Sequence, residues 1–220
     1  MLQPLRTALL LLLSAAAWFS PADAAEQTKG RDFDFYVLSL SWSPTFCTNP
    51  DGAKNRDQCG TSRQFGLIVH GLWPQYERGY PQSCPSSEPG RVPSSLGRKY
   101  FDIMPNMGLI GHQWRKHGTC TGLSQEDYFA VTRSAFERIR VPDSLREAKK
   151  PIDLGVAAIE AQFTEANSGL SNRGLAITCE DGKLEEVRIC LTRDLDFRDC
   201  PNIDYYQNCP LKSVAVPPPR

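Results

Sequence analysis

The sequence predicts an α+β fold: a central antiparallel sheet flanked by helices and closed by disulfides. Three observations carry this expectation. Several short stretches alternate or run apolar like strands, two others repeat apolar residues at helical spacing, and eight cysteines, an even number, follow a secretory start.

Residues Met1 to Ala24 have the three parts of a secretory signal: Arg6 in a basic start, an apolar run from Leu9 to Trp18, and the small-residue site Ala22-Asp23-Ala24. Its removal leaves residues 25–220 as a single domain, long enough to bury one sizeable core. The apolar run is shorter than the roughly 20 residues that span a bilayer, and no later stretch is long or apolar enough to try. A soluble, exported protein without a membrane anchor is expected, in a periplasm or outside the cell. The formal net charge is zero, and losing Arg6 and Asp23 together keeps it so. Any attraction to phosphate must therefore be local. Nothing in the chain specifies an oligomer, and a monomer is the expectation.

From Asp34 to Trp42, Tyr36, Leu38, Leu40 and Trp42 share one face and Phe35, Val37, Ser39 and Ser41 the other, the pattern of a largely buried strand. Thr45 to Ser62 is polar and reads as a loop closed by cysteines. Phe65 to Val69 reads as a central strand whose end presents His70. Pro81 to Ser95, rich in Pro, Ser and Gly, is loop.

Ser124-Gln125-Glu126-Asp127 has the form of an N-cap with an acidic first turn, and Tyr128, Thr132, Ala135, Phe136 and Ile139 follow at helical spacing. Ile152, Val156, Ile159 and Phe163 mark a second amphipathic helix ending near Asn167 to Gly169. Leu175 to Cys179 and Leu184 to Leu191 are strand-like, and the Asp181-Gly182 pair between them signals a hairpin. The Pro-rich end, Val216 to Arg220, is expected to fray.

Cys47, Cys59, Cys84, Cys120, Cys179, Cys190, Cys200 and Cys209 all follow the signal. In an exported chain such a set reads as disulfides. Zinc competes, but there is no Cys-x-x-Cys and the spacing is too wide for a ribbon or finger. Eight cysteines allow 105 pairings, and spacing alone does not choose among them.

The three histidines occupy two short segments, Leu67 to Gln75 around His70 and His112 to Cys120. If the second is helical up to Gly118, His112, Gln113, Lys116 and His117 make one surface patch while Trp114 points to the core. Two imidazoles, an amide and an ammonium offer proton transfer near neutral pH and a fixed positive charge. Phosphoryl transfer at an RNA 2′-hydroxyl needs these: a base, an acid and cationic donors for the transition state. Taken singly, a histidine is more often structural, a lysine a solvated charge and a tryptophan core; their convergence is the signal. A metal is the competing reading, but paired zinc histidines prefer i, i+4 with Glu beside the first, unlike His112 and His117.

At these segments the chain resembles the ribonuclease T2 family of secreted endoribonucleases. The family pattern His-Gly-Leu-Trp-Pro is matched by His70 to Pro74. The pattern His-Glu-x-x-Lys-His-Gly-x-Cys is matched by His112 to Cys120, except that Gln113 replaces Glu. The early Leu-Ser-Leu-Ser-Trp-Ser-Pro stretch and the eight cysteines also fit, so the likeness covers most of residues 34 to 209.

The resemblance implies that His117 is the base toward the 2′-hydroxyl and His70 the acid toward the 5′-oxygen. Lys116 and His112 hold the phosphate. The product is a 2′,3′-cyclic phosphate, then a 3′-phosphate. No metal or cofactor is implied, and DNA, lacking the 2′-hydroxyl, is not cut. Broad cleavage of single-stranded RNA is expected in preference to one dedicated target, since nothing in the chain looks like a sequence-reading module.

Gln113 keeps length and hydrogen bonding, including toward a phosphate oxygen, but cannot ionise or relay a proton. Trp73 is read as a platform for a base or as core, with Gln75 and Tyr76 as further base-site candidates. The resemblance also implies the pairs Cys47–Cys59, Cys84–Cys120, Cys179–Cys209 and Cys190–Cys200. Two rivals stand beside the ribonuclease reading: a catalytically impaired RNA-binding relative, with Gln113 marking lost activity, and a metal-dependent hydrolase.

Overall fold

The computed structural model describes residues 32–60, 63–200 and 208–219. The signal from Met1 to Ala24, the start of the domain, Ser62 and Arg220 lie outside them. Strand β1 (Phe35–Trp42) runs antiparallel between β2 (Leu67–Gln75) and, on its other side, the later strand Lys183–Leu191. Side chains alternate across it. Tyr36, Leu38, Leu40 and Trp42 enter the main core, whereas Phe35 and Val37 pack with Cys190, Cys200 and Trp73 on the opposite face.

Three longer helices and four more strands complete the frame: α1 (Met107–Lys116), α2 (Gln125–Glu137), β3 (Ile152–Gly155), α3 (Val156–Ala166), β4 (Leu175–Glu180), β5 (Lys183–Leu191) and β6 (Ser213–Val216). The sheet order is β2-β1-β5-β6-β3, with β4 paired to β5 off this path. Its pairings are antiparallel except for one parallel register, Lys183 with Ala215. The β4–β5 hairpin turns at Asp181 (φ 49°) and Gly182 (φ 75°), the two consecutive left-handed residues that an Asp-Gly type I′ turn requires.

Each longer helix is tied to the frame by a polar contact at a defined place. Asn106 caps α1 by accepting from Leu109 N at 3.1 Å. Fully buried Trp114 donates its Nε1–H to Pro89 O at 2.8 Å, fastening the loop that precedes α1. Ser124 caps α2 by accepting from Asp127 N at 3.1 Å. Tyr128, with no exposure, donates to Leu72 O on β2 at 3.0 Å. Asn167 closes α3 by donating to Phe163 O at 2.9 Å and ties it to the segment after α2 by donating to Arg140 O at 2.9 Å.

Four expectations need correction. First, β2 is an edge strand that runs on to Gln75, so His70 lies within it and not at its end. An edge position tolerates Pro74, whose missing N–H breaks no inner ladder. Second, Ile152 belongs to β3, because Gly155 is extended (φ −63°, ψ 137°) and α3 begins only at Val156. Pairing with distant β6 decides this. Third, the C-terminal stretch is held: Val216 pairs with Ile152, and Trp42 donates to Pro217 O at 2.9 Å. Fourth, the polar stretch after Trp42 contains short helices at Ser43–Phe46, Pro50–Lys54 and Arg56–Cys59.

Disulfides join Cys47–Cys59, Cys84–Cys120, Cys179–Cys209 and Cys190–Cys200, the pairs that the resemblance implies. All eight sulfurs are thereby engaged, which removes them as zinc ligands.

Candidate active site

The consecutive β1 residues Ser39 and Leu40 face Gly71 and Val69 on β2, leaving His70 as an extra, unpaired residue. Such a bulge re-aims a side chain, and here it leaves the imidazole 38% exposed beside β1. Across the sheet, Ser39 lies between Gly71 and Arg188, and Ser41 between Ile68 and Glu186. Because the two serines are short, long side chains from β5 reach over β1 toward β2. Glu186 Oε1 meets His70 Nδ1 at 2.5 Å, and the Arg188 guanidinium carbon sits 5.3 Å from the Trp73 ring centroid.

Trp73 stands between the two segments that the sequence singles out. Its ring centroid is 5.4 Å from that of His70, edge-on, and 5.3 Å from that of His117, stacked at 27°. Its Nε1–H donates to Gln113 Oε1 at 2.8 Å. The close approach depends on Gly71: a Cβ there would lie 2.1 Å from Gln113 Oε1 and 2.3 Å from Trp73 Nε1. Gly118 has a matching role behind His117, since a Cβ would lie 2.3 Å from Trp114 Cε3. Both histidines are thus followed by a glycine for reasons of space.

Helix α1 grades its patch from wet to dry. His112 is exposed and Lys116 half-buried, and with Gln82, Ser83 and Thr119 they line a cleft. Gln113, expected to reach a phosphate, is only 1% exposed and turns its oxygen to Trp73. His117 is not in the helix body but caps it (φ −121°, ψ −47°), with its N–H donating to Gln113 O at 2.9 Å. It is buried, and its Nδ1 has no hydrogen-bond partner among the described residues.

The charges act in a consistent direction. Burial, then Lys116, His70 and His112, push the His117 imidazole down to about 3. Burial, then Lys116, His70 and Arg115, also lower His112. For Glu186, burial would raise the carboxyl, but the His70 imidazole and the Arg188 guanidinium overcome it and hold it down to about 2. Glu186 is therefore a carboxylate near neutral pH, able to accept a hydrogen from His70 Nδ1.

Sequence reasoning missed Glu186 and Arg188. The only local signal is a Glu and an Arg two apart, hence on one face, in a strand that is otherwise largely apolar. Among the other expected residues, Gln75 is half-buried at the end of β2 and Tyr76 is exposed.

The Ribonuclease T2 family model matches residues 33–200, which spans the whole of this site. The chain belongs to the ribonuclease T2 family. Similar family proteins include a ribonuclease of Aeromonas hydrophila, 37% identical over 84% of this chain and 83% of its own length. Ribonuclease I of Escherichia coli K12 is 26% identical over 86% and 87%. The fold is that of RNase NT, solved with 5′-AMP (TM-score 0.65, 23% identity, 86% of this chain and 100% of that one). It is also that of an RNase-related protein from Calystegia sepium (TM-score 0.69, 22% identity, 85% and 98%). Within the described residues, no helix is long and apolar enough to cross a membrane.

Proposed function

We infer that this protein is an endoribonuclease that cleaves single-stranded RNA by transphosphorylation. The carrying observation is that His70 and His117 flank one tryptophan ring at nearly equal distances, beside the cleft that Lys116 and His112 line. In this reading His117, depressed and neutral, removes the 2′-hydroxyl proton. The 2′-oxygen bonds to phosphorus, the P–O5′ bond breaks, and His70 delivers a proton to the departing 5′-oxygen. The Lys116 ammonium, by its charge, and the His112 imidazole, by hydrogen bonding, stabilise the negative charge that develops on the phosphate oxygens. Water then opens the 2′,3′-cyclic phosphate, with the two histidines exchanging roles.

Trp73 and Gln113 take positioning roles here. The indole is engaged by His117 and Arg188, and by Gln113 through its N–H, which favours a wall between the histidines over a platform for a base. The substrate's own 2′-hydroxyl is the nucleophile, so the mechanism needs no metal. Arg6, the apolar run from Leu9 to Trp18 and the Ala22-Asp23-Ala24 site support export, to a periplasm or the medium. We read the exported domain as a monomer.

The test is cleavage of a dinucleotide RNA and its 2′-deoxy counterpart in excess EDTA, with products identified by mass, alongside His70→Ala and His117→Ala. The expected result is a 2′,3′-cyclic phosphate from the ribo-substrate alone, reduced roughly 10²–10⁴-fold in each variant. RNA binding without turnover would instead make the protein a binding relative, and loss of turnover in EDTA would make it a metal enzyme.

A further inference from the structure

We propose that Glu186 is a positioning residue for the reaction: it accepts the Nδ1 hydrogen of His70 and so holds that ring with Nε2 turned to the leaving oxygen. This rests on the reading of His70 as the general acid.

Four features build the arrangement. Glu186 is 3% exposed on β5, a central strand, where a carboxylate needs partners to be tolerated. Its two oxygens have divided duties: Oε1 faces His70, while Oε2 accepts from Arg188 Nε at 2.8 Å and Nη2 at 2.6 Å. Arg188 thereby anchors Oε2 with two charge-assisted hydrogen bonds, leaving Oε1 to His70. The short side chains of Ser39 and Ser41 open the lane across β1, and the bulge at His70 brings the imidazole to its end.

The arrangement also binds the two histidines to one support. Glu186 holds His70 through Oε1 and Arg188 through Oε2; Arg188 lies over Trp73, and Trp73 stacks on His117 and is locked by Gln113. A shift of the carboxylate would therefore be felt first at His70. Its chemical effect is specific. An acid must present a hydrogen on the nitrogen facing the leaving group, and the nitrogen facing away must have an acceptor in both states of the ring. With Gln at 186, the amide oxygen is needed by Arg188, which only donates. The amide NH₂ then meets Nδ1 and opposes the hydrogen there.

The readout that separates this role from mere structural support is the leaving group. A nucleoside 3′-(4-nitrophenyl phosphate) releases an anion that needs no proton, whereas a dinucleotide releases a 5′-alkoxide that does. In oxidised protein, Glu186→Gln is expected to lower kcat on the dinucleotide about 10–100-fold, the usual cost of removing a partner that orients a working side chain. KM should stay within about two-fold, and kcat on the nitrophenyl ester within about three-fold. Equal loss on both substrates, or no loss on either, overturns the proposal. If His70→Ala itself loses as much on the ester as on the dinucleotide, His70 is not the acid and the underlying reading fails, a result distinct from failure at Glu186 alone. Should Glu186→Gln not fold, the unmodified protein carries the test: ¹⁵N spectra of its histidines, taken where the rings are neutral, should find His70 with hydrogen on Nδ1. Hydrogen on Nε2 overturns the proposal.

Discussion

Trp73 donates its indole N–H to Gln113 Oε1 at 2.8 Å, so the residue that departs from the family pattern faces a tryptophan and not the cleft lined by His112 and Lys116. An indole nitrogen can only donate, and either an amide or a carboxylate oxygen can receive its hydrogen. Gln113→Glu should therefore keep the fold and retain activity within about ten-fold, by analogy with an auxiliary contact whose loss costs more. The new negative charge near His117 should move the acidic limb of the rate profile to higher pH. Gln113→Leu leaves the N–H without an acceptor and should cost about 1–3 kcal/mol in urea unfolding. Equal stability of the two variants would show that this hydrogen bond does not hold the ring.

Gly71 is expected to be intolerant of even one methyl. A Cβ would enter the space of both Gln113 Oε1 and Trp73 Nε1. Gly71→Ala should destabilise by about 1–3 kcal/mol, as overpacking does, and lower kcat by displacing Trp73 from between the histidines. Thermal unfolding and turnover of the same preparation check it; a silent substitution would mean that Trp73 moves freely.

Acid should unfold the protein through two groups acting with the same sign. His117 lies at about 3 when folded against 6.5 ordinarily, so the unfolded chain binds more protons between those values. The stability this gives is full above pH 6.5 and is lost as pH falls toward 3, on the order of a few kcal/mol. Glu186, at about 2 against 4.5, adds stability that is full above 4.5 and lost toward 2. His117→Asn should flatten the pH dependence of urea midpoints between pH 6.5 and 3. In the rate profile, a base neutral this far down should keep kcat/KM from falling until well below pH 6.5. A fall centred near 6.5 would count against His117 as the depressed base.

The Cys84–Cys120 disulfide should matter to activity as well as to stability. It closes a sequence separation of 36, the longest of the four, and Ser83 N donates to Lys116 O at 2.8 Å beside it. Both contacts tie the cleft's outer wall to the end of α1. Replacing both cysteines with Ala should cost about 2–4 kcal/mol and raise KM, since Lys116 and His112 lose their facing wall. A stability loss with unchanged KM would confine the bond to folding.

Local chemistry made much of this molecule legible. The Asp181-Gly182 turn, the Ser124 cap and the alternation of β1 follow from neighbours within a few residues, and each appears where the sequence puts it. The two histidine segments were legible because rare residue types cluster there. What failed had distant causes. Ile152 reads as helix until β6 pairs with it, and the C-terminal prolines read as loose until Trp42 reaches Pro217.

By itself, then, the sequence determined the α+β class, the turn and cap positions, the family, and the two histidine segments where the proposed chemistry is placed. The tertiary structure decided how they are used: that His70 sits on a bulge, that Gln113 is buried behind Trp73, and that Glu186 and Arg188 reach the site over two serines. The physical reason is separation along the chain. Glu186 is 116 residues from His70, and only sheet register, set by side chains on the opposite, core-facing side of β1, brings them together.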